Sequence, residues 1–107
     1  MTRAAFVWCP CPDADSARVL ADGLLAEGLI ACANILPGAE SRFVWQGEVH
    51  ASSEAILVLK TTCSRLDDAI ARLTALHPYD TPAVSGWLAD ASAQVTLDWL
   101  SAIGKTA

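Results

Sequence analysis

The apolar positions of this chain change period several times, and each change marks the boundary of a predicted element. Ala4 to Cys9 is a short apolar run carrying an aromatic and a β-branched residue, closed by Pro10 and Pro12, and reads as a first strand. Asp13 then offers a carboxylate to cap a helix, Ala17, Leu20, Ala21 and Leu24 recur at helical spacing, and Gly28 supplies a left-handed stop. From Leu29 to Glu48 the pattern is extended. Ile30 to Ala33, Ile35 and Arg42 to Trp45 are interrupted by Pro37-Gly38, and Gly47 marks a hairpin turn. Glu54 to Thr62 returns as a strand whose centre, Ala55 to Leu59, is unbroken apolar sequence, the pattern of a strand covered on both faces.

Ser64 with Asp67 has the spacing of a capping box, and Leu66, Ala69, Ile70, Leu73 and Leu76 form one helical stripe that ends before Pro78. Tyr79 to Leu88 reads as a fourth extended segment. A last helix from about Ser92 carries Thr96, Trp99, Leu100 and Ile103 and stops at Gly104. Strand, helix, strand, strand, helix, strand, helix is the order of an α+β, ferredoxin-like split βαβ fold with one added C-terminal helix. Two long helices cover one face of such a sheet. The other face, with an apolar third strand, calls for a partner, so homo-oligomerisation is expected from the pattern.

Composition agrees with a single domain over residues 1–107: 53% of residues are hydrophobic and 18% charged, enough to build one core and too apolar for disorder. The formal charge of -5 and the scattered basic residues disfavour nucleic acid and anionic membranes as partners. The apolar run after Arg3 is too short for a signal-peptide core, and no membrane-spanning segment is read. Cys9, Cys11, Cys32 and Cys63 are therefore expected as reduced thiols in the cytoplasm, with Cys32 in the core.

The block Ala31-Cys32-Ala33-Asn34-Ile35-Leu36-Pro37-Gly38 is followed by Phe43, Trp45 and Gly47, by Lys60-Thr61, by His77-Pro78-Tyr79, and by Trp99-Leu100. In this order and spacing the chain resembles the CutA divalent-cation tolerance family over nearly its whole length. The resemblance implies a trimer in which hairpins, here about Ser41 to Thr62, reach past their own subunit, and unusual thermal stability. It also implies a link to copper or another divalent metal. Family copper ligands are associated with a cysteine near the end of the first strand, the histidine of His-Pro-Tyr and a glutamate after the next proline. Those positions here are Cys9, His77 and Ala83, so the carboxylate is missing.

Cys11 is two residues beyond Cys9, on the same face if the strand continues, and thiolates suit soft ions. Cys9, Cys11 and His77 are the expected metal ligands. The competing assignments are strand-end structural cysteines and a histidine that caps the helix carbonyls. Trp45, Glu54, Lys60 and Tyr79 are assigned to clefts between subunits, with Trp45 as an anchor. Lys60 is expected to emerge at a subunit boundary and to meet a glutamate from another subunit, giving either a structural ion pair or an anion-accepting pocket. No glycine loop or nucleophile motif is present, so an enzyme is not expected. The alternatives to metal tolerance are a small-molecule sensing trimer like the PII proteins, which share the fold, and a ligand-free interaction scaffold.

Overall fold

The computed structural model describes residues 2–103. The expected order of elements is present: β1 (Ala4–Cys11), α1 (Ala14–Ala26), β2 (Cys32–Trp45), β3 (Glu48–Thr62), α2 (Leu66–Leu76), β4 (Ser85–Leu88) and α3 (Gln94–Leu100). The four strands form one antiparallel sheet in the order β2-β3-β1-β4. Asp13 caps α1 by accepting a 2.7 Å hydrogen bond from the Ser16 amide. That bond holds its carboxyl below the ordinary aspartate value. Gly28 follows at φ +70, as the left-handed stop requires.

One sheet face packs under α1 and α2. Val7, Cys9 and Cys11 from β1 and Ala55, Leu57 and Leu59 from β3 meet Ala17, Leu20 and Leu24 of α1 and Ala69 and Leu73 of α2. Gly86 lets α2 settle onto β4, because a Cβ there would lie 2.8 Å from both the Leu66 Cδ1 and the Phe6 carbonyl oxygen. Ala4, Leu100 and Ile103 make a second, smaller cluster where α3 docks. The Arg65 guanidinium donates to the carbonyls of Gly28 and Ile103, tying the end of α1 to the chain after α3.

Among the described residues the opposite face has no helix over it except at its Ala4 end, where α3 docks. Cross-strand pairing places Phe6, Trp8, Leu36, Ile56, Val58 and Trp87 on it. Ile56 is buried by its neighbours and Val58 half-buried, whereas Trp8, Leu36 and Trp87 remain 45–47% exposed. The apolar third strand is thus covered on the helix face and only partly on the other.

Beyond the body the β2–β3 hairpin continues as a two-stranded arm, in register from Ala39↔Glu54 to Trp45↔Glu48. Its tip is a two-residue turn with Gln46 at φ 51 and Gly47 at φ 79, the left-handed pair that matches the twist of a hairpin. The arm stretches the chain to 45 × 27 × 22 Å, with a radius of gyration of 14.5 Å against about 13 Å for a compact domain of this length.

Five local expectations change. β1 runs on through Pro10 to Cys11 instead of stopping at Cys9. β4 pairs with β1 only from Ala5 to Trp8, so Pro10 has a neighbouring strand on one side only and its missing amide hydrogen breaks no ladder on the other. β3 starts at Glu48 and not at Glu54, because the arm is paired although exposed. The capping box does not form: a 3-10 turn, Cys63–Arg65, precedes α2, and the Ser64 hydroxyl pairs with that of Thr62 at 3.1 Å. The fourth strand shrinks to Ser85–Leu88, since Pro78 and Pro82 supply no amide hydrogens to a ladder. Cys32 is half-buried and not in the core: it pairs with Lys60 on the helix-free face, and its thiol donates to the Asn34 Oδ1 at 3.8 Å. The stop expected at Gly104 lies outside the described residues.

Candidate metal centre

The end of β1 and the end of α2 meet at the point where the hairpin arm leaves the body. Strand alternation turns both Cys9 and Cys11 toward the helices, and both are fully buried. His77 is the C-cap of α2, where its backbone leaves the helix at φ -65, ψ 140, and its ring is also buried. The two sulfurs and a ring nitrogen of His77 all lie within 4.8 Å of one another. The residues predicted as ligands are brought together.

The imidazole does not cap helix carbonyls. Its Nε2 donates to the Pro10 carbonyl at 2.9 Å, across to β1, and its Nδ1 accepts the Tyr79 amide at 3.1 Å. Pro10 as the acceptor for His77 was not legible in the sequence, where Pro10 read as the end of the strand. Each thiol rests against a backbone carbonyl, Cys9 on that of Pro10 and Cys11 on that of Cys9, both at 3.6 Å. The neighbouring Cys11 thiol, then burial and the charges of Cys11 and Glu54, push Cys9 above the ordinary thiol range. Cys9 in turn draws Cys11 below that range, against burial and the charges of Glu54 and Asp13.

The set suits a soft cation. Bonds of roughly 2.0–2.3 Å to imidazole nitrogen and thiolate sulfur place two donors on one ion no more than about 4.6 Å apart, so closure asks for side-chain movements of about an ångström or less. Two thiolates and one imidazole are donors that suit soft and borderline ions such as cuprous copper and zinc.

Trp45, Glu54 and Tyr79, assigned in sequence to one cleft, line a single open groove of about 1070 Å³ between the arm and residues 78–83. Glu54 is buried, and the Tyr79 hydroxyl donates to its Oε2 at 2.7 Å. Burial, then Glu54 as acceptor and as a charge, pushes the Tyr79 phenol above its ordinary value. Ala83 stands in the groove wall and brings no carboxylate. Lys60 does not join this group: it is half-buried on the helix-free face, opposite Phe6 and Cys32, and forms no ion pair among the described residues.

Fold and cluster together define a class: small ferredoxin-like proteins with a projecting hairpin and a thiol–imidazole pocket where it departs. Residues 5–102 match the family model described as CutA1 divalent ion tolerance protein, and the chain belongs to that family. It is 44% identical over 80 residues to the divalent-cation tolerance protein CutA of Salmonella newport (strain SL254), covering 75% of this chain and 70% of that protein. The crystal structure of the divalent ion tolerance protein CutA1 from Ehrlichia chaffeensis superposes with a TM-score of 0.89 at 32% identity, covering 94% of each chain. The periplasmic divalent cation tolerance protein CutA from Archaeoglobus fulgidus superposes with a TM-score of 0.87 at 28% identity, over 92% of this chain and 95% of that one. The family's description names a tolerance and not a catalysed reaction.

Proposed function

We propose that this protein serves divalent-metal tolerance by holding a soft cation, copper in its cuprous state above all, on Cys9, Cys11 and His77. The observation that carries the reading is the convergence of three buried donor atoms within 4.8 Å. Bound there, the metal would supply charge to two thiolates that are otherwise costly to bury side by side. Ala83 leaves the donor set with sulfur and nitrogen alone, which favours a soft ion over a hard one.

The working unit under this reading is a homotrimer in the cytoplasm. The helix-free face, with Trp8, Leu36 and Trp87 each close to half exposed, and an arm exposing Phe43, Val44, Trp45 and Val49 both favour burial against other copies. A reducing compartment suits four free thiols. Anaerobic calorimetry of the reduced protein with cuprous ion tests the site: uptake of one ion per chain, lost in both Cys9→Ser and His77→Ala, is expected. An unchanged heat of binding in those variants would refute the assignment. Sedimentation of the same sample tests the trimer.

A second reading, small-molecule sensing in the manner of PII proteins, is favoured by the groove that Trp45, Glu54 and Tyr79 share. Lys60, assigned in sequence to the clefts, lies outside that groove, and Arg42 is the cation that lines it.

A further inference from the structure

Both nitrogens of the His77 ring are committed, and the identity of their partners fixes where the proton sits. The Pro10 carbonyl can only accept and the Tyr79 amide can only donate, so Nε2 carries the hydrogen and the Nδ1 lone pair faces Tyr79. A cation needs a lone pair. Ligation through Nδ1 displaces the Tyr79 amide. Ligation through Nε2 moves the proton to Nδ1, where two donors would then face each other, and it also forfeits Pro10. Turning the ring over breaks both bonds. Every route to a ligating His77 therefore breaks its bond with Tyr79, and only the Nδ1 route keeps the bond to Pro10.

Tyr79 is not free to yield without consequence. Its hydroxyl holds the buried Glu54, its ring lies 4.8 Å from that of His77, and Pro78 between them has a fixed φ, so a shift of the Tyr79 amide passes on to its side chain. Tyr79 and Glu54 both form the groove wall beside Trp45.

We infer that Tyr79 is a latch on the metal centre: it occupies the coordinating nitrogen of His77 in the empty protein, and its release from His77 and Glu54 reshapes the groove when the centre fills. The inference rests on the metal-site reading proposed above. It makes the groove and the centre linked sites, and the linkage is reciprocal: whatever holds Tyr79 against Glu54 weakens metal uptake by the factor with which metal weakens it. Tyr79 is a positioning residue here, acting through His77.

The test is an anaerobic titration of the ¹⁵N-labelled, reduced protein with cuprous ion held by a weak competing chelator, following the His77 ring nitrogens, the Tyr79 amide and the Trp45 indole. The Nδ1 resonance is expected to take the shift of ligation, and the Tyr79 amide and Trp45 indole are expected to move with it at the same stoichiometry. Tyr79→Phe, which loses the bond to Glu54, is expected to bind the ion about fivefold more tightly, the factor that one hydrogen bond is worth. The double variant Tyr79→Phe, Glu54→Gln repeats the measurement without a lone buried carboxylate and is expected to give the same gain. Uptake with an unmoved Tyr79 amide and unchanged affinity in both variants would overturn the latch and leave the metal site standing. No uptake of cuprous ion at all would overturn the latch and the metal reading together.

Discussion

From Glu48 to Ser53 every residue of β3 is exposed, and from Glu54 to Leu57 every one is buried. The backbone ladder to β2 runs through both halves, broken only by the register shift between Leu36 and Ala39. Hydrogen bonding is therefore not what distinguishes them. The inner half is held by side chains that meet the helices and β1, whereas the arm has a ladder, cross-strand contacts such as Phe43 stacked on His50 at 5.6 Å, and, among the described residues, exposed side chains from Glu48 to Ser53. An isolated two-stranded ribbon is marginal in water. The difference teaches that the body specifies itself, while the arm lacks side-chain burial of its own, the burial that the proposed trimer would supply.

The comparison breaks most sharply at Leu57, fully buried in the body. Leu57→Ala is expected to cost about 2–5 kcal/mol, read as a lowered denaturant midpoint at fixed chain concentration. At the tip, Gly47→Ala must place a Cβ at φ +79 and is expected to cost about 1 kcal/mol, with the loss confined to hydrogen exchange near residues 44–49. A global drop equal to that of Leu57→Ala would mean that the arm and body unfold as one unit.

A smaller effect belongs to the joint between the halves. Tyr79 keeps its proton more firmly in the folded chain than in the unfolded one. Its contribution is complete below the ordinary tyrosine value of about 10 and declines as pH rises beyond it, where the folded chain holds the extra proton. The melting temperature of the native chain is expected to fall more steeply than that of Tyr79→Phe as pH rises above about 10; parallel curves would detach Tyr79 from the joint. The smallest effect is expected at Val49, 76% exposed. Val49→Thr should stay within about 0.5 kcal/mol in the melting of the dissociated chain, so a larger loss would sharpen the case for a packed arm.

These regions were also unequally legible in sequence. The helices could be read because their apolar spacing reports burial against the sheet, and the break at Gly28 and the cap at Asp13 are local signals. β3 was read only from Glu54, since periodicity records burial and the arm has none to record. Pro10 misled in the same way: proline rules describe a strand paired on both sides, and the shortness of β4, which excuses it, is not a local property. Cys9, Cys11 and His77 stand out in the sequence by their donor chemistry and the family's pattern, and the fold brings them together. Their carbonyl and amide partners, at Pro10 and Tyr79, depend on how two distant chain ends meet, and side-chain identity carries no trace of that.

The placement of β1 at the interior of the sheet governs the order in which the molecule can be built. It is synthesised before both its neighbours, β3 and β4, which lie some fifty and eighty positions further along. A growing chain carries Phe6, Val7 and Trp8 without a ladder until much of the remaining sequence has left the ribosome, a non-local dependence that slows folding. The thiols at its end meet their imidazole only after α2 is complete. The nascent protein therefore offers two neighbouring thiols before it has the imidazole that completes their cluster.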